Sequence, residues 1–355
     1  MRQVSIPASR DAMKSPPALL EPRGKVDIDD YIVDIAWSID GRGLAVAGGE
    51  GKVCSIENGD GALAVREVGH HGLGALAVAW HPKNAVFVSS GQDGEVRLYD
   101  AVDGNVLARQ RPSKAWTTQL TFSPDGSQLA TAAGKQISLW NERLELQQAL
   151  PPLDGTIAAL AFDKSGRDLA AAINGGVVVH RLEAPRYPVR HYRWDAPCIT
   201  ANFSSNGKFL AAGTQDGSVH FWYLATGRDS QMRGYPGKVD QLGWSGDSRY
   251  LATAAADRVV VWDFGGKGPE GSSPLQLSGH TDRIECLAYQ PRGNFLATAG
   301  LDWRLSLWLP GKFPTAIDAH LTDSEPSCLR WSPDGRFLAL GERKGKLSIF
   351  ELVRI

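Results

Sequence analysis

The chain has 355 residues, with 38 basic and 39 acidic side chains and a formal net charge of −1, so it has no global field to draw in nucleic acid or an anionic membrane. The first twenty residues hold no apolar run long enough for a signal peptide, and no stretch approaches the roughly 18 consecutive apolar residues of a membrane helix; a cytoplasmic protein is expected. The 39 glycines and 20 prolines suit a turn-rich all-β chain, and the four cysteines, with no Cys-x-x-Cys among them, read as small buried hydrophobes.

In chain order, residues 1–16 read as a flexible leader. The segment Pro17 to Ile28, containing Ala18-Leu19-Leu20 and Val26-Asp27-Ile28, belongs to no repeat. From Ile32 onward one pattern recurs. A short apolar strand ends in an aromatic or equivalent residue: Trp37, Trp80, Phe122, Phe162, Phe203, Trp244, Tyr289 and Trp331, spaced 40 to 45 residues apart. A turn follows each, as in Ser123-Pro124-Asp125-Gly126 and Ser332-Pro333-Asp334-Gly335. Pro presets φ there, Asp and Ser bond back to the backbone, and Gly accepts positive φ. A second strand of small and apolar residues comes next (Leu129-Ala130-Thr131, Leu338-Ala339-Leu340), then a third that closes on Ile56, Tyr99, Trp140, His180, Trp222, Trp262, Trp308 or Phe350. The pattern is written eight times, and a period of this length marks a repeat architecture.

The dipeptides Tyr99-Asp100 and Trp262-Asp263, the pairs Gly69-His70 and Gly279-His280, and the period itself resemble the WD40 repeat family over Ile32 to Phe350. The resemblance implies one four-stranded blade per repeat. The expectation is therefore an all-β fold: a single eight-bladed WD40-type β-propeller over 17–355, its ring closed by an N-terminal strand that completes the last blade. Closure of this kind removes an exposed sheet edge. The family's hydrogen-bonded tetrad carries over to His280, Thr298, Asp302 and Trp308, and nearly to His70, Ser89, Asp93 and Tyr99.

Template residues build blades, so function is sought among residues that the template does not demand. Eight of the eleven tryptophans close first or third strands. Trp116 and Trp194 precede first strands, and Trp303 lies in a turn between second and third strands. In the family both connections open on one face of the disc. The register places Tyr31, Tyr235, Arg193, Lys238, Arg283, Arg304 and Arg343 on that face too. Trp, Tyr and Arg dominate binding hot spots, so this face is expected to bind a protein or peptide partner. The chain is expected to act as a monomeric, non-catalytic scaffold.

Chemistry finds little support. Gly72-Leu73-Gly74-Ala75-Leu76-Ala77 fits a dinucleotide fingerprint on paper, but it leads into a strand rather than a helix. No metal-ligand spacing and no nucleophile elbow or phosphate loop is present, and no cofactor is expected. Two alternatives are kept. One is an enzyme with its site in the central channel, for which Asp34 is the only charged residue among the candidate first-strand positions Asp34, Gln119, Thr200, Gln241, Cys286 and Cys328. The other is phosphate or nucleic-acid recognition by Arg304, Arg343, Lys344 and Lys346, which would weaken steeply with salt.

Overall fold

The computed structural model describes residues 17–59, 62–182, 189–266 and 268–354. Residues 1–16, expected to be flexible, lie outside the described residues.

Each repeat folds as its turn chemistry dictates. The Ser hydroxyl bonds the Asp or Asn two residues on, as in Ser38–Asp40 at 2.6 Å, Ser245–Asp247 at 2.6 Å and Ser204–Asn206 at 2.8 Å. It also accepts the amide five residues on, which fixes the hairpin into the second strand. In the second repeat His81 takes over this role. Its Nδ1 accepts the amides of Lys83 and Asn84, and its Nε2–H donates to Gly126 O of the next repeat at 3.1 Å. Second strands are buried throughout, as in Leu129–Ala133 and Phe209–Thr214, because their small residues face a neighbouring sheet on each side. The closing tryptophans tie seams as well as fill them. The indole N–H groups of Trp37, Trp244 and Trp331 donate to the carbonyls of Arg330, Asn202 and Ala288 in the preceding inner strands, at 2.9–3.2 Å.

The expected eight separate blades are corrected by the strand pairing. The described strands form seven sheets, six of four strands and one of six. In order these span 32–70, 75–110, 117–149, 159–232, 241–277 and 284–321, with 326–354 joined by Ala18–Asp27. Counted as hydrogen-bonded sheets, the propeller has seven blades, the fourth of double width. The cause is Val189–Phe203, which runs unbroken for 15 residues from the outer edge of the fourth repeat into the inner strand of the fifth. Its first part pairs with 174–180 and its last with Phe209–Thr214. Upstream, Asp168–Arg181 reverses at Gly175-Gly176 (φ 98° and 127°), so that Arg181 pairs with Asp168. The double sheet thus presents two inner strands to the channel. Inner strands contact one another in chain order around the ring, and Pro326–Trp331 meets Ile32–Trp37 to close it.

The seventh sheet takes its outer strand from the other end of the chain. Ala18–Asp27 runs antiparallel to Lys346–Arg354, from Ala18 opposite Arg354 to Asp27 opposite Lys346. Leu20 N donates to Asp318 of the sixth sheet at 2.7 Å, and Lys346 pairs with Asp27 at 2.8 Å. Inside, the Arg330 guanidinium meets Asp34 across the closing seam at 3.0 Å. Among the described residues no helix is long and apolar enough to cross a membrane.

Candidate functional site: the loop face

The turns between second and third strands and the links between sheets share one face. Leu301 N donates to Arg283 O at 2.7 Å, and Gln92 N to Gly74 O at 2.9 Å, each joining a turn to a link.

Below this face the second, fourth, fifth and sixth sheets each seat a ring in a socket, nine positions ahead of the aromatic that closes an inner strand. In the sixth sheet that residue is His280. Its Nδ1–H donates to Asp302 at 3.0 Å, its Nε2 accepts from Thr298 Oγ1 at 2.7 Å, and the Trp308 indole donates to Thr298 at 2.8 Å. In the second sheet the same spacing from Trp80 selects His71, not His70. His71 is fully buried, bonding Asp93 at 2.9 Å and Ser89 at 2.8 Å, whereas His70 is exposed. Burial holds the His71 imidazole below its ordinary pKa, against the pull of Asp93. The sequence assignment of His70 is corrected accordingly.

The same spacing reassigns two residues expected on the surface. Tyr235, nine ahead of Trp244, sits in the fifth sheet's socket: Trp262 Nε1–H donates to its hydroxyl at 2.9 Å, and the hydroxyl donates to Thr253 at 2.7 Å. Burial pushes its phenol up to about 12. Trp194, nine ahead of Phe203, is half-buried and stacks on the His220 ring with centroids 4.0 Å apart. Both were legible as socket residues from the register alone.

Trp116 and Trp303 are the exposed indoles, at 52% and 42%. They do not form one patch. Trp116 leads into Thr117–Phe122 and Trp303 belongs to the sheet of Ile284–Tyr289, and the ring order puts these two inner strands at opposite positions. Trp303 has φ 59°. Gly94, Gly217 and Gly345 fill its register position in other repeats, each with positive φ. Beside it, Leu321 is 77% exposed and pairs with Arg304, and Thr322 N donates to Trp303 O at 2.9 Å. Trp303 and Leu321 therefore make an apolar edge on the rim of the sixth sheet, next to the exposed Arg304.

The remaining basic candidates divide in two. Toward the channel, Lys238 pairs with Asp240 at 2.8 Å, Arg283 with Asp240 at 3.2 Å and Glu285 at 3.1 Å, and Arg343 with Glu285 at 3.4 Å. This network neutralises itself and offers little to a polyanion. Arg193 is exposed, away from the Trp303 edge, and Tyr31 is 41% exposed near the closing seam. In the channel, burial raises the Asp34 carboxyl although Arg330 opposes the shift. The four thiols are free and buried. Burial lifts Cys54 to about 11 and Cys198 and Cys328 to about 12, which keeps them protonated and poor nucleophiles. Among the described residues no group of three His, Cys, Asp or Glu side chains could hold a metal ion.

Comparison with known proteins agrees with this geometry. A family model described as "WD domain, G-beta repeat" matches residues 64–100, 106–141, 188–223, 271–308 and 311–351, together more than half of the chain. The mouse "Target of rapamycin complex subunit LST8" is 23% identical over 257 residues, covering 68% of this chain and 77% of that protein. "Actin-interacting protein 1-2" of Arabidopsis thaliana is 25% identical over 158 residues, 42% of this chain and 25% of that protein. The "66 kDa stress protein" of Physarum polycephalum is 22% identical over 204 residues, 54% of this chain and 33% of that protein. The chain thus spans a third or less of the last two. Among solved structures, the computationally designed Ika8 protein superposes with a TM-score of 0.76 at 19% identity, covering 94% of this chain and 98% of that one, which is a likeness of fold.

Proposed function

Because this chain belongs to the WD40 family, we propose that it is a non-catalytic cytoplasmic scaffold that holds a protein or peptide partner on its loop face, at the edge formed by Trp303 and Leu321. One observation carries the reading. A left-handed backbone costs a non-glycine residue roughly 1–2 kcal/mol, three other repeats avoid the cost with Gly94, Gly217 and Gly345, the fifth sheet bears it at the small Ala256, and here the chain keeps a half-exposed indole. Strain kept in place where a cheaper residue is available points to a use for the side chain, and Trp is the residue type most enriched at hot spots. The relatives' names fit such a role: one is a subunit of a complex and another interacts with actin.

The test is quantitative affinity purification from the native cell with wild type, Trp303→Gly and Trp116→Ala. Partners are expected to be lost with Trp303→Gly and kept with Trp116→Ala. Equal recovery by wild type and Trp303→Gly would remove this edge as the site.

A further inference from the structure

The seventh sheet lacks the parts that fill the socket in the sixth. Counted from Trp331 and Tyr289, Thr322 stands in the place of His280, Leu340 in that of Thr298 and Phe350 in that of Trp308. A second substitution accompanies these. In the two sheets that hold a socket histidine, the residue eleven beyond the aromatic is Gly91 or Gly300. A Cβ at Gly91 would fall 2.5 Å from the His71 ring, and one at Gly300 would fall 3.1 Å from the His280 ring. The seventh sheet carries Glu342 at this position, 1% exposed.

The smaller Thr322 makes room for that side chain but does not satisfy it. Glu342 Oε2 accepts the Ser324 amide at 2.6 Å and its hydroxyl at 3.2 Å, while Oε1 is buried with no hydrogen-bond partner. Glu342 lines a cavity of about 360 Å³ between the seventh sheet and the outer strand of the sixth, with Leu321, Leu340 and Phe350 among its apolar walls. The bases on the wall have partners of their own: Arg23 contacts Glu351, and Lys25 pairs with Asp323 at 2.7 Å. Leu321 belongs both to this wall and to the Trp303 edge.

We propose that the Glu342 cavity receives a cationic side chain, lysine or arginine, from a partner segment whose neighbouring apolar residue rests on Trp303 and Leu321. The proposal rests on the reading of that edge as the docking surface and names what the partner must bring. An ammonium or guanidinium would give Oε1 the charge-assisted donor it lacks, and the apolar walls suit the methylene stem of such a side chain. A neutral isostere would leave the oxygen unpaired, so the site would discriminate by charge.

The test is selection of displayed random peptides of about a dozen residues against the full chain, as wild type, Trp303→Gly and Glu342→Gln. Wild type is expected to enrich peptides with Lys or Arg at a fixed distance from an apolar residue. A synthetic representative should bind Glu342→Gln at least about tenfold more weakly. Replacing its basic residue by norleucine should weaken binding to wild type but not to Glu342→Gln, the coupling that a merely structural Glu342 would not show. Glu342→Met, which removes the orphan oxygen, serves as a second variant with the same expectation. Trp303-dependent peptides without a basic residue, or a norleucine effect equal in wild type and variant, would overturn the cation site and leave the docking edge standing. No Trp303-dependent peptide at all would overturn the edge reading and this proposal with it.

Discussion

The imidazole of His71 holds Asp93 at 2.9 Å inside the second sheet while its chain neighbour His70 faces solvent. Burial favours the neutral ring, in which Nδ1–H donates to the carboxylate while Nε2 lies 2.8 Å from the Ser89 hydroxyl. Replacing His71 by Ala would leave Ser89 and Asp93 without their buried partner, at about 1–3 kcal/mol. His70→Ala should stay within about 0.5 kcal/mol of wild type. Urea unfolding of the two variants checks both figures. Equal losses would mean that the socket is not held by His71.

His180 closes the third strand of the fourth repeat, 2% exposed, with neither ring nitrogen hydrogen-bonded. Burial lowers its pKa from 6.5 to about 4. The folded-state value is the lower one, so this group's contribution to stability is full above about 6.5 and is lost as pH falls toward about 4. The loss is on the order of 3 kcal/mol. His180→Phe should therefore unfold at higher urea than wild type near pH 4.5, with a much smaller difference at pH 8. A constant difference across that range would contradict the assignment.

A deletion of residues 1–16 leaves the Ala18–Asp27 strand and its pairing with Lys346–Arg354 in place. Removal through Asp27 exposes the whole Lys346–Arg354 edge and cuts the bond from Leu20 to Asp318. Unpaired edges invite association. The shorter deletion is expected to keep the thermal midpoint, and the longer one to lower it and to aggregate. Light scattering during a thermal ramp distinguishes them; matched midpoints would show that the N-terminal strand does not close the ring.

Trp303→Gly removes both an exposed indole and a strained backbone conformation. Relief of roughly 1–2 kcal/mol offsets lost packing and the extra freedom of Gly in the unfolded chain. Stability is expected to stay within about 1 kcal/mol of wild type. A drop of several kcal/mol would mark Trp303 as a packing residue.

Much of this molecule can be read from spacing. The aromatic ruler locates all eight inner strands, and a count of nine residues back from each would have placed His71, Trp194 and Tyr235 in sockets. The Gly-His dipeptide pointed instead to His70, since Gly69-His70 spells the motif one residue early. Composition misled in the same way at Trp194 and Tyr235: an aromatic off the usual template looks spare, although a socket that holds His can hold any flat ring with a place for its polar atom. The number of separate sheets was hidden because Pro197 ordinarily interrupts a strand, whereas Val189–Phe203 continues through it across the boundary between two repeats. Glu342 gave no signal in isolation. Its meaning depends on Thr322, 20 residues away, being smaller than the histidine it stands in for.

The most direct test of the docking edge is amide hydrogen exchange of the full chain, free and bound to a purified partner or selected peptide. New protection is predicted to centre on 301–304 and 319–322, where Trp303 and Leu321 share a rim, and to extend no further than the neighbouring Glu342 cavity. Protection centred on Trp116, or on the opposite face at the Ser–Asp turns such as Ser38–Asp40, would contradict it.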